Sequence, residues 1–182
     1  MIVRNATQVG NPVIRAKALA VKDIISTQTK RIVHNLVDSM RHHDLVGMAA
    51  PQIGSGLRIF VTEVRKTTFR KENDKNRDAL RVFINPKITA VSKTTNKDWE
   101  GCGSVVSGGL FGKVVRPARI TVSAYDEHGT PFVLEAKNLL ARIIQHEIDH
   151  LNGKLFVDIA DTSTYSVPSE LRKKIQKKKR TK

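Results

Sequence analysis

The segment Gln145-His146-Glu147-Ile148-Asp149-His150 holds the residues of this 182-residue chain best suited to chemistry. Two imidazoles stand four positions apart, with a carboxylate beside the first. On a helix, positions i and i+4 share a face, so both rings can reach one metal ion. A glutamate next to a ligand can take a proton from water and pass it on. With six His in the chain, random placement would produce His-Glu-x-x-His with a likelihood of only about 0.01. The alternative is an amphipathic helix whose histidines face solvent. Leu139, Leu140, Ile143, Ile144 and Leu151 surround the motif and make the helix largely apolar, hence buried. Buried imidazoles and a buried carboxylate need partners, and a metal supplies one.

A catalytic metal site commonly has three protein ligands and an open position. Cys102, in Glu100-Gly101-Cys102-Gly103-Ser104, is the best candidate for the third, because flanking glycines permit tight turns. A lone cysteine is more often a small buried hydrophobe. Asp126 and Asp158 are the alternative ligands. His34, His42 and His43 lie far in sequence from other ligand-like residues and read as surface histidines.

The length fits one domain with a real core. No apolar run approaches a membrane span. One cysteine excludes an intrachain disulfide and fits a reducing compartment. The N-terminus does not read as a secretory signal. Net charge is +15, and residues 171–182 carry eight Lys/Arg and no acid. Such a tail is by default solvated, and otherwise fits a polyanion such as RNA. It lacks aromatic residues, so a contact there would be phosphate-directed and blind to sequence.

The elements that must position these groups follow from periodicity. Ile32, Val33, Leu36, Val37 and Met40 predict a helix over 27–41. Gly47 to Gly56 reads as a loop and 57–64 as a strand. The charged stretch 65–79 reads as a surface loop between strands. Residues 80–85 and 88–93 read as two strands separated by Pro86. Residues 120–125 and 132–136 form a hairpin, a helix covers 137–152 with Gly153 at its end, and 156–157 is a last short strand. The tail can be helical from Ser169. The expected class is α+β: antiparallel sheets packed around a central metal-binding helix, with an N-terminal helix and a basic C-terminal tail. The expected division is 1–168 catalytic, 169–182 tail.

Three segments in order carry a family likeness: Gly47-Met48-Ala49-Ala50-Pro51-Gln52, Glu100-Gly101-Cys102-Gly103-Ser104, and Gln145 to His150. On these the chain resembles peptide deformylases, from about Gly10 through Phe156. The resemblance implies a divalent metal held by Cys102, His146 and His150, with water in the fourth position. Ferrous iron is the usual metal, and zinc or nickel can replace it. It implies removal of the N-formyl group from the first methionine of nascent peptides, with release of formate. Glu147 would serve as general acid/base, and Gln52 and the backbone N–H of Gly103 would stabilise the oxyanion. Glu100 would be a buried anchor for its loop, paired with Arg116. Leu45 and Gly47 would border the substrate, with peptide backbone pairing near Gly47. Leu139, Ile143 and the stem of Arg142 would line the methionine pocket or belong to the core. Three departures bear on groove shape: Leu45 replaces the first glycine of the first motif, Gly103 replaces a leucine, and Val106 replaces a proline. Implied partners are N-formylmethionyl nascent chains and ribosomal RNA under the tail, with no membrane. The implied location is the bacterial cytoplasm, or an organellar matrix after loss of a transit peptide. Two rival readings are a metallopeptidase cutting internal bonds and a non-enzymatic RNA-binding module on the same scaffold.

Overall fold

In the computed structural model, which describes residues 2–68 and 77–180 (the side chains of 175–180 excepted), each helix end has a local cause. α1 (Pro12–Arg15) is a single turn opened by Asn11, whose side chain accepts from the Val13 N–H. α2 (Thr27–His42) begins where the Ser26 hydroxyl accepts from the Thr29 N–H, and ends with Arg41 and His42 at its negative pole. It buries Ile32, Val33, Leu36 and Met40 at the predicted spacing.

The strands follow as β1 (Gly47–Ala49), β2 (Ile59–Val64), β3 (Asp78–Val91), β4 (Thr95–Gly101), β5 (Phe111–Pro117), β6 (Arg119–Tyr125), β7 (Pro131–Lys137) and β8 (Asp161–Ser166). The class is α+β. One antiparallel sheet runs β1-β2-β3-β6-β7 and a second runs β4-β5-β8. α3 (Asn138–Leu151) packs between them. One face, Ala141, Ile144, Ile148 and Leu151, joins Phe60, Phe83 and Val122 of the larger sheet in one apolar cluster. Phe60 and Phe83 stack with centroids 4.5 Å apart. The other face is tied to the smaller sheet by polar groups: Gln145 Nε2 donates to the Pro117 carbonyl at 3.1 Å, and Arg142 Nη1 to that of Val114 at 3.0 Å. α3 stops at Asn152, and Gly153 follows at φ 72°. A Cβ there would collide with the backbone carbonyl of Arg15, so both conformation and space demand glycine.

Four expectations change. Gly47–Ala49 is not loop but an edge strand, registered against Thr62, Val61 and Phe60; three residues are too short to show periodicity. The two strands around Pro86 are one bent strand. Its register against β6 shifts between Ile84 and Lys87, and that bulge accommodates a residue with no N–H to donate. Residues 156–158 are a 3-10 turn rather than a strand. The last strand lies instead at 161–166, where a polar edge strand shows no alternation of apolar residues. Of the stretch 65–79, residues 69–76 lie outside the described residues. α4 (Pro168–Arg180) carries the basic tail, and its Leu171 is buried. Among the described residues, no helix is long and apolar enough to cross a membrane.

Candidate active site

The helical spacing of α3 and the β4–β5 turn bring three side chains together. One ligand atom each from Cys102, His146 and His150 lies within 4.8 Å of the others. Cys102 Sγ is 3.2 Å from His150 Nε2, across 48 residues of chain. Ligand atoms at bonding distance around one tetrahedral zinc-sized ion are roughly 3.3–3.6 Å apart, so the Cys102–His150 pair stands close to that spacing and the trio is compact enough to close on one cation. The donor set, one thiol and two imidazoles, suits zinc or ferrous iron. Asp126 and Asp158 are used elsewhere. Asp126 accepts from the N–H groups of His128 and Thr130 in a turn, and Asp158 pairs with Arg15 at 2.5 Å.

The charges around the trio are arranged to keep it a ligand set. Burial opposes ionisation of the Cys102 thiol, but His150 and His146 beside it hold its pKa well below the ordinary value. Burial likewise opposes a charge on His146, yet Cys102 and Glu100 raise its pKa well above the ordinary one. Glu100 Oε2 accepts from His146 Nδ1 at 2.9 Å, which leaves the other ring nitrogen for a metal. Glu100 itself is held by Arg116 through Nε at 2.8 Å and Nη2 at 2.9 Å, and by Arg142 Nη1 at 2.6 Å. Burial alone would raise its pKa, but Arg116 and His146 keep it well below the usual carboxylate range. Arg116 also reaches Asp149 of the motif helix at 2.7 Å. Glu100 is therefore a positioning residue for His146. Asp149 belongs to the motif itself and Arg142 lies one turn before it, but neither position signals a tie to Glu100 or Arg116.

Glu147 is buried beside the trio. Among the described residues, its Oε2 has no hydrogen-bond partner. Burial pushes its carboxyl up to about 7, with Cys102 and Glu100 adding to the rise and the two imidazoles opposing it. A Cβ on Gly47 would sit 2.5 Å from Glu147 Oε1, so β1 approaches this carboxylate as only glycine allows. Gln52 follows in the 3-10 turn after β1. Its Oε1 accepts from the Ala49 N–H at 2.8 Å, which turns Nε2 toward Ser104 Oγ, 3.3 Å, and Cys102 Sγ, 3.6 Å.

One cavity is lined by Leu45, Val46, Gly47, Gln52, Trp99, Glu100, Gly101, Cys102, Gly103, Arg142, Ile143, His146 and Glu147. His150 is not part of that lining and is 1% exposed. Leu139 is half-buried outside the lining. The guanidinium of Arg142 is engaged by Glu100, Val114 and Asn96, so only its stem can face the cavity. Trp99 escaped the sequence reading. Its signal was a single large aromatic in an otherwise polar strand, directly before Glu100.

The motif departures have structural counterparts. A Cβ on Gly103 would lie 3.3 Å from Leu45 Cδ1 and 3.6 Å from Ala6 Cβ. Leu45 thus fills the space a larger residue at 103 would take, and the two departures compensate each other. Gly103→Leu alone is expected to cost about 1–3 kcal/mol through overpacking. Adding Leu45→Ala should restore part of that loss, a coupling of about 0.5–3 kcal/mol in urea denaturation. Strictly additive losses would show that the two positions are independent. Val106 has φ 48° in a left-handed turn closed by Gly108 N–H to the Val105 carbonyl, 3.0 Å. Proline, fixed near −65°, cannot adopt that backbone.

The family model described as polypeptide deformylase matches residues 3–165. A curated peptide deformylase of Carboxydothermus hydrogenoformans is 40% identical over 161 residues, 88% of this chain and 95% of that protein. Among solved structures, a class I type b peptide deformylase of Acinetobacter baumannii bound to Met-Ala-Ser superposes with a TM-score of 0.80 at 27% identity, covering 87% of this chain and 99% of that one. A peptide deformylase of Synechococcus elongatus in complex with actinonin gives 0.75 at 34% identity, covering 87% and 79%.

Proposed function

Since this chain belongs to the polypeptide deformylase family, we propose that it removes the N-formyl group from the first methionine of nascent polypeptides by hydrolysis, releasing formate. The observation that carries the reading is the convergence of groups from three separate motifs, Gln52, Cys102 and the pair His146 and His150, beside the buried Glu147 carboxyl. Cys102, His146 and His150 would hold one divalent ion, which resemblance assigns as ferrous iron with zinc or nickel as substitutes. When bound, such a cation polarises a carbonyl and lowers the pKa of nearby water toward neutrality.

The protein's own groups do the rest. Glu147 takes the proton of the attacking water. As the formyl C–N bond breaks, it returns a proton to the leaving amine. The Gln52 amide and the Gly103 N–H would donate to the oxygen that becomes negative in the tetrahedral species. Glu100, locked by two arginines, keeps His146 in one orientation. β1 is an edge strand, so among the described residues one side of it has no strand partner, and an extended peptide can pair there beside Gly47 and Leu45. The methionine side chain then lies against Ile143 and the stem of Arg142.

Residues 1–168 form the catalytic unit in this reading. Residues 169–182 form a basic extension that contacts ribosomal RNA through phosphates. The setting is a bacterial cytoplasm or an organellar matrix. The test is formate release from formyl-Met-Ala-Ser by protein prepared anaerobically with iron, against an unformylated protein substrate. Formate release without internal cleavage is the expected result. Internal cleavage without formate would reverse the assignment. In the same preparation, Cys102→Ser should lose most of its metal by elemental analysis, because a neutral hydroxyl replaces a thiolate. Full occupancy in that variant would point to another third ligand.

A further inference from the structure

We propose that Trp99, with the ammonium groups of Lys113 and Lys174 over its ring, is a specificity-determining residue. It forms a positively charged aromatic wall that favours nascent chains with an acidic side chain at their second or third residue over chains with a basic one. The inference rests on the deformylase reading above and deepens it.

Trp99 stands on β4 three residues before Cys102 and lines the same cavity. At about 3.3 Å per strand residue, that is roughly 10 Å along the chain from the thiol. An extended peptide leading away from the reacting carbonyl covers the same distance in about three residues. Lys113 is the residue directly opposite Trp99 in the β4–β5 register, so the two side chains share a face. Its Nζ is 5.3 Å from the ring centroid. Lys174 arrives from α4 and places its Nζ 5.6 Å from the same centroid. α4 is anchored there by the buried side chain of Leu171, 3% exposed. Two cations from separate elements therefore meet one indole, within the range of cation–π attraction.

The neighbouring charges do not cancel them. Lys97 is paired with Asp161 at 2.6 Å and Lys173 with Glu170 at 2.7 Å. Asp98 adds one carboxylate beside the ring, and its Oδ1 accepts from the Trp99 N–H at 2.8 Å. Among the described residues, Lys113 and Lys174 have no carboxylate partner. Two ammonium groups against one carboxylate leave the wall positive. A carboxylate on the peptide would supply the missing counter-ion. An ammonium there would meet like charge.

The test compares formyl-Met-Ala-Xaa and formyl-Met-Xaa-Ser peptides with Xaa as Glu, Gln or Lys, at low and high ionic strength. For the wild type, kcat/KM should favour Glu over Lys by roughly 3- to 10-fold at low salt, chiefly through KM, and the preference should shrink with salt. Lys113→Glu combined with Lys174→Glu should reverse the ratio, and either Lys→Gln variant should reduce it. An unchanged Glu/Lys ratio in the charge-reversed protein, or a preference insensitive to salt, overturns the proposal. Failure of the wild type to deformylate even the Gln peptides would instead strike the deformylase reading. The wall then stands or falls on binding alone. Trp99 is the only tryptophan, so its fluorescence reports titration with unformylated Met-Ala-Glu and Met-Ala-Lys. Equal affinities for those two would also overturn the proposal.

Discussion

Replacing Glu147 with Gln is expected to lower kcat on a formyl-methionyl peptide by about 10²- to 10⁴-fold, the usual contribution of a positioned general acid/base, while metal content stays at the wild-type level. The change is isosteric and the site is tight: the carboxylate is 3% exposed, and its Oε1 lies 2.5 Å from the Cβ position of Gly47. The amide fits the same space, so loss of rate would not come from loss of fold. It cannot accept the water's proton or return one to the leaving amine. Glu147 is not one of the three clustered ligand groups, so the cation has no reason to leave. A pKa raised by burial to about 7 matches proton exchange near neutrality, and a cation beside it would draw that value down again. Wild-type turnover with full metal occupancy in the Gln variant would remove Glu147 from the mechanism.

The second large effect is expected on stability. Glu100→Ala should cost about 3–5 kcal/mol in urea denaturation, the range for breaking a buried ion pair from one side. The carboxylate sits between two guanidinium groups that are themselves 5% exposed, and Arg116 and Arg142 would keep their charge with less to answer it. Arg116 retains Asp149, and Arg142 retains the Val114 and Asn96 oxygens, so the protein should still fold. His146 would lose its orienting acceptor at Nδ1. Loss of such a partner typically weakens metal binding about 10- to 100-fold, so metal titration of the same variant should show that decrease beside the stability loss. A stability change below about 1 kcal/mol would mean the arginines find other acceptors, and that Glu100 is not what holds the loop.

How much of this was legible beforehand follows from the range of each signal. Local patterns were readable. The i, i+4 histidines determine a shared face because the helix period is a property of the backbone. The Ile32 to Met40 spacing marks α2 for the same reason, and Gly153 marks the end of α3. The ligand types came with their order along the chain. What only the tertiary structure decided are the relations between segments far apart in sequence. These are Cys102 lying 3.2 Å from His150, Arg142 joining the expected Arg116 around Glu100, and Leu45 filling the space over Gly103. They also include Lys174 of α4 reaching Trp99. β8 stayed hidden because an edge strand with one solvated side need not alternate, and β1 because three residues carry no period. A chain records its own periodicities in its letters, but which surfaces meet depends on how two sheets close on one helix, and that is settled only when the whole core packs.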